Sequence, residues 1–312
     1  MIQNPYAQPA PMPFRFLIDE AVRYARRHFR SIYPVVAVPV ALLAAVVAAL
    51  QALWFSRLTG SVESANPFDL AGGCATIAVA MVLGVVMGFG YAALHVAAVD
   101  VVSGRPVDMR RAWTYPFRPA VLGTNILAGL AIMAGFILCI LPGFYVLPLL
   151  SFVLPVMVTE SRFGGDALSR SAELTKWSPT GRIMDSALVK ALLLLVLLMA
   201  LSYVLGAMIA IPFQIPMYID MFRNAAAGQE PSLERMGMWM WLQVPAQFLS
   251  ALVSVALYLY MSFCTALLFA DTRGRKEGTD LRTAFDQVFA PPQPPPTPPM
   301  PPVPPVSPGA PF

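Results

Sequence analysis

Residues 119–159 read PAVLGTNILAGLAIMAGFILCILPGFYVLPLLSFVLPVMVT, 41 residues without a charge. As one helix they would be about 60 Å long, twice the hydrocarbon thickness of a bilayer. The stretch must therefore fold back. Leu141-Pro142-Gly143 stands near its middle. Pro142 has no N–H to donate and Gly143 tolerates turn dihedrals, so a tight hairpin is expected at Pro142 and Gly143, with an apolar helix on each side. Ala, Leu, Val and Met dominate without period-2 alternation, which favours helices over a β-barrel, since every crossing must satisfy its own backbone.

Outward from this stretch lie four more charge-free runs: Ser31 to Ser56, Leu70 to Val99, Ala191 to Ile219 and Met236 to Ala270. With the hairpin they make six spans. Across all 312 residues 57% are hydrophobic and 12% are charged, against roughly a quarter charged in soluble domains. The expected class is all-α, a polytopic membrane protein of six transmembrane helices with cytoplasmic amphipathic helices.

Six spans alternate between two sides, and the basic residues divide unequally between them. Of 21 Lys and Arg, 18 fall on the side that carries both termini; Arg57, Arg223 and Arg235 fall on the other. By the positive-inside rule the termini are cytoplasmic. Trp54, Trp239 and Trp241 belong to the far interface, where amphipathic rings anchor. The net charge of +4 reflects this topology, and no nucleic-acid partner is expected.

Five segments follow. Residues 1–13 form a flexible N-terminus with no cleavable signal. Residues 14–33 place Leu17, Ile18, Ala21 and Ala25 on one helical face and Arg23, Arg26, Arg27 and Arg30 largely elsewhere. This is a basic amphipathic helix expected to lie on the cytoplasmic leaflet, where those four arginines are candidate contacts for anionic lipid. Residues 34–270 are the six-helix domain. Within it Asp166 to Trp177 is a second amphipathic piece, with Ala167, Leu168, Ser171 and Leu174 on one face, and Lys190 is placed to snorkel to the surface. Residues 271–290 form a third amphipathic segment, in which Leu281, Ala284, Phe285, Val288 and Phe289 recur at helical spacing and could dock against span 6. Residues 291–312 hold 13 prolines in 22 positions, an extended, disordered tail and a candidate docking site for a protein partner.

Chemistry is sparse. The chain has two histidines, His28 and His95, and three cysteines. No metal-ligand spacing, phosphate-binding loop or nucleophile elbow occurs, so no catalytic, cofactor or metal residue is assigned and no enzyme activity is expected. Cys74 and Cys139 read as small apolar residues more readily than as a disulfide. His95 and Asp100 lie five apart and do not face each other on a helix. Gly84-x-x-x-Gly88, followed by Gly90, is a candidate helix-packing surface, with span 3 as the expected neighbour and internal packing preferred to dimerisation.

The hairpin and its surroundings carry a resemblance. Leu141-Pro142-Gly143-Phe144-Tyr145, Pro155, Glu160, the run Ala167-Leu168-Ser169-Arg170-Ser171-Ala172-Glu173-Leu174, the run from Asp271 to Leu281, and Gly104-Arg105-Pro106 together resemble the bacterial six-helix membrane proteins grouped with the membrane domain of glycerophosphoryl diester phosphodiesterases. The resemblance implies fold and location: a multi-pass protein of the bacterial cytoplasmic (inner) membrane. In the two-part enzymes of that group the chemistry belongs to a separate soluble barrel, for which this chain has no room. Carried onto this chain, Glu160 and Arg170 are a candidate structural pair at the cytoplasmic end of span 4.

The leading expectation is a non-enzymatic membrane protein that organises lipids or recruits partners. A transporter or channel for a lipidic or small solute is the second, suggested by prolines at positions 39, 148, 155 and 245 within the spans. An accessory module for a separate phosphodiesterase is the third, resting on the resemblance.

Overall fold

The computed structural model describes residues 12–60, 67–176, 186–228 and 233–277. Regular structure among them is helical throughout: α1 (Phe14–Gly60), α2 (Pro67–Val102), α3 (Met109–Thr114), a 3-10 turn (Tyr115–Phe117), α4 (Pro119–Leu138), α5 (Ile140–Leu149), α6 (Val153–Glu160), α7 (Gly165–Thr175), α8 (Ala187–Ala226) and α9 (Leu233–Glu277). Six stretches are long and apolar enough to cross a membrane: one each in α1, α2, α4, α8 and α9, and one made of α5 and α6 together. Among the described residues the chain is all-α, with six segments able to span a membrane.

α1 and α9 form the axis. They run antiparallel over most of their length: the Met12 N–H donates to Asp271 Oδ1 at 3.3 Å, Tyr24 stacks on Phe263 with centroids 6.1 Å apart, and the Tyr33 hydroxyl donates to the Leu252 carbonyl at 3.1 Å. α2 closes on this pair, with Tyr91 against Tyr258 at 4.2 Å; α8 lies along α9. Burial is concentrated at the end that holds Met12 and Asp271, here called the basic end. Leu17, Ala21 and Ile32 of α1, Leu94 and Val96 of α2, and Val255, Leu259 and Phe263 of α9 are all buried there. Towards the other end the helices turn apolar side chains outward, with Val85, Tyr203 and Met208 well over half exposed at 58%, 79% and 65%. Such surface is suited to lipid contact.

The helix expected on the leaflet surface is not a separate piece. α1 runs unbroken through Pro34 and Pro39 for 47 residues, about 70 Å at the usual rise. Each proline removes one hydrogen bond, and the helix tolerates the loss because α9 packs along it. The apolar face of residues 14–33 is covered by α9. Residues 271–277 likewise continue α9, whereas 278–290 and the proline-rich tail lie outside the described residues. The apolar run Met236 to Ala270 thus serves two purposes. Its 35 residues would extend about 52 Å, longer than a bilayer needs, and its final turns are core of the basic end.

The α4–α5 reversal also differs in detail. The chain turns at Cys139, whose backbone is extended. Pro142 and Gly143 lie within the first turn of α5, where a missing proline N–H leaves no bond unmade. Gly143 sets how closely the two helices approach: a Cβ there would fall 2.4 Å from Phe136 Cδ1, and one on Gly135 would fall 3.2 Å from Gly143 Cα. Gly84 and Gly88 do not pack internally as expected, since a Cβ on either meets nothing within 4 Å. The close approach belongs to Gly90, where a Cβ would lie 2.6 Å from Val40 Cγ2 of α1.

Candidate functional site

The basic end gathers most of the polar chemistry. On α1, Arg23, Arg26, Arg27 and Arg30 are all exposed. At 3.6 residues per turn they occupy roughly 100° of arc, opposite the Leu17, Ala21 and Ala25 face that packs inward. Arg23 pairs with Glu20 at 3.2 Å. No carboxylate among the described residues pairs with Arg26, Arg27 or Arg30.

Other arginines at this end are engaged. Arg170 of α7 donates from Nε to Glu160 Oε2 at 3.1 Å and from Nη1 to Glu173 Oε2 at 3.1 Å, and also pairs with Glu277 of α9. Arg162 and Arg273 approach Glu160 at 3.3 and 3.6 Å. Glu160 is therefore the centre of a junction binding the end of α6 to α7 and α9. Burial lowers the Arg170 pKa, but its hydrogen bonds and charge pairing with Glu160 and Glu173 outweigh this and raise it. Arg170 stays charged at every physiological pH. On α2, Asp100 is buried and pairs with Arg105 at 3.3 Å and Arg111 at 3.2 Å rather than with His95.

α7 is what the sequence pattern made it, an amphipathic helix, but it faces protein. Ala167, Ser171 and Leu174 are buried against the fourth span, which is discontinuous. Leu150, Ser151 and Phe152 separate α5 from α6, with Pro148 before the break and Pro155 after it. Breaking a helix frees backbone groups that an apolar setting cannot satisfy. Ser171 answers on both sides: its hydroxyl donates to the Leu149 carbonyl at 2.7 Å and accepts from the Phe152 N–H at 3.2 Å. Of the four prolines read as interruptions, Pro39 and Pro245 lie inside continuous helices; the pair at 148 and 155 flanks a true gap.

The chain matches no protein-family model, no curated protein and no solved structure. What it can do is argued from its own surfaces.

Among the described residues, two clefts open between helices. One, of 480 Å³, lies away from the basic end between α1, α2 and α9, bordered by Gln51, Trp54, Ile77, Met81 and Met240. The other, of 380 Å³, lies at the basic end between α2, α6 and α9, lined by Val99, Val102, Thr159, Phe269, Ala270 and Arg273. Lys190 does not snorkel: it is buried, and its Nζ donates to the Met12 carbonyl at 2.7 Å. Cys74, Cys139 and Cys264 are free thiols. No group of His, Cys, Asp and Glu among the described residues is arranged to hold a metal.

The sequence singled out the α1 arginines and the Glu160–Arg170 pair, and the structure shows the first as one stripe and the second in contact. It did not single out Ser171 for the break. The available signal was Pro148 and Pro155 flanking a short apolar segment, followed by an amphipathic helix with a hydroxyl on its apolar face.

Proposed function

We propose that this chain is a non-enzymatic protein of the bacterial cytoplasmic membrane, with both termini in the cytoplasm, that holds anionic lipid at its basic end and recruits a protein partner through its proline-rich tail. The observation that carries the lipid reading is the exposed stripe of Arg23, Arg26, Arg27 and Arg30, three of them without a carboxylate among the described residues, while Arg105, Arg111, Arg162, Arg170 and Arg273 are paired. The stripe adjoins the charge-free run that begins at Ser31, so its lower arginines stand at the level of lipid headgroups. Each basic residue near an anionic surface contributes about 1 kcal/mol. The stripe as a whole can therefore concentrate anionic lipid beside α1. The 18 of 21 basic residues on the terminal side support the orientation.

The test is mass spectrometry of lipids retained in nanodiscs of mixed anionic and zwitterionic composition. Replacing Arg23, Arg26, Arg27 and Arg30 by Gln is expected to abolish anionic enrichment, whereas Arg105→Gln and Arg162→Gln leave it in place. Equal enrichment in all variants would remove the stripe from the account. A transport reading has one observation of its own, the broken fourth span, because transporter sites are built from discontinuous helices. Solute uptake into proteoliposomes that is lost when Ser171 is replaced, with the fold intact, would favour it.

A further inference from the structure

The arginine stripe of α1 ends against a proline. Pro34 lies inside the helix, one turn after Arg30. It has no N–H to return to the Arg30 carbonyl, and its ring crowds that oxygen outward. Arg30 and Pro34 are both exposed. At about 100° per residue, the line from Arg30 to Pro34 falls within the arc of Arg23, Arg26, Arg27 and Arg30. This carbonyl therefore opens in the middle of the stripe.

The hydroxyls nearest to it along α1 are engaged elsewhere: Ser31 Oγ donates to the His28 carbonyl at 2.9 Å, and the Tyr33 hydroxyl to the Leu252 carbonyl at 3.1 Å. No side chain among the described residues donates to the Arg30 carbonyl. The stripe thus sets two kinds of group side by side, cations without a carboxylate and a backbone acceptor without its helical donor. A phosphodiester answers the first. The second needs a donor, and beside these arginines a neutral hydroxyl is favoured, because an ammonium would be repelled. A phosphate that carries a hydroxyl on a short carbon chain satisfies both, whereas one capped by a methyl group supplies the anion alone.

We propose, resting on the lipid reading above, that Arg27, Arg30 and the Arg30 carbonyl form a headgroup site for anionic phospholipids whose headgroup bears a hydroxyl, as in phosphatidylglycerol. The arginines hold the phosphate, and the headgroup hydroxyl donates to the carbonyl that Pro34 leaves without a donor. The stripe then selects among anionic lipids instead of attracting charge alone. Pro39 likewise has no N–H for the Val35 carbonyl, but it stands five residues, about 7.5 Å, farther into the charge-free run. It serves as the internal control.

The test reconstitutes the full-length protein with a zwitterionic phospholipid and equal amounts of phosphatidylglycerol and phosphatidylmethanol, all with the same acyl chains. It then extracts the protein in mild detergent and counts retained lipids by mass spectrometry. The two anionic lipids carry the same charge and differ in the headgroup hydroxyls. Phosphatidylglycerol is expected to be retained over phosphatidylmethanol by at least about threefold, which corresponds to about 0.7 kcal/mol and lies within the worth of one hydrogen bond. Pro34→Ala gives the Arg30 carbonyl its helical donor back and removes a helix breaker, so the fold is not put at risk. The preference should disappear in that variant while both anionic lipids stay enriched over the zwitterionic one; Pro39→Ala should keep the preference. Equal retention of the two anionic lipids by the unaltered protein overturns the proposal and leaves the lipid reading of the stripe standing. A preference that survives Pro34→Ala assigns selection to another group and overturns it too. So does loss of both anionic lipids in Pro34→Ala, which would mean that the proline positions the arginines. Absence of anionic enrichment in every form, the unaltered protein included, removes the lipid reading itself and the proposal with it.

Discussion

Ser171 shows how one side chain can make a break in a span tolerable. Its hydroxyl serves the Leu149 carbonyl and the Phe152 N–H at once, groups that regular helix would have paired. Ser171→Ala leaves both wanting, apart from a long 3.5 Å contact from Thr175 to Leu149. The expected cost is about 1–3 kcal/mol, read as a lowered thermal unfolding midpoint in detergent. Ser169→Ala, exposed one turn-face away, should stay within about 0.5 kcal/mol. Equal effects would mean that the break is satisfied by something other than Ser171. Side-chain partners of this kind are hard to read in a sequence: Ser171 lies 19 and 22 residues from the groups it serves, and its place on the apolar face of α7 does not say which groups it meets. Glu160 and Arg170 were named from the resemblance and not from their spacing, and they do meet, at 3.1 Å.

At the scale of elements, small residues matter where a backbone comes near and are otherwise free. α4 and α5 touch through Gly135 and Gly143, and a methyl on Gly143 would collide with the Phe136 ring. Gly143→Ala should therefore destabilise by about 1–3 kcal/mol, the usual cost of overpacking. Gly88→Ala meets nothing and replaces a poor helix former, so it should be neutral or stabilising by up to about 1 kcal/mol. Unfolding midpoints of opposite sign check both. If Gly88→Ala instead shifts the oligomeric state in detergent, the exposed glycine face meets another copy. The spacing of Gly84 and Gly88 suggested close approach, but spacing records what a helix permits and not which neighbour arrives. The same reasoning explains the displaced turn. Pro142 and Gly143 mark a place where helix formation is awkward, and the first turn of a new helix absorbs that awkwardness as readily as a loop does.

The whole molecule is stratified. Its basic end is packed like a soluble helical core, with Phe263 and Leu259 almost fully buried, while Ile77, Met81 and Val82 of α2 and Tyr203, Met208 and Phe222 of α8 are more than half exposed. Phe263→Ala should cost about 3–5 kcal/mol by leaving a cavity. Met208→Ala, on a side chain 65% exposed, should change stability little, and thermal unfolding in detergent compares the two. The number of spans and the crowding of basic residues on one side were legible from runs without charge. How far α1 and α9 continue past the membrane was not, because hydropathy records aversion to water and is indifferent to whether lipid or another helix relieves it. Phe14 to Tyr33 has the pattern of a helix lying on a leaflet, and it also has the pattern of a helix lying on α9.

The pairing of α1 with α9 also orders events in time. A ribosome adds roughly 5–20 residues per second, so α1 is complete about ten seconds to most of a minute before the last turns of α9 emerge. Throughout that interval the face of α1 that packs on α9 lacks that partner, and the junction at Met12 and Asp271 cannot form. The earliest helix is the last to be secured, which makes synthesis of this chain a period of exposure that ends only when its C-terminal helix arrives.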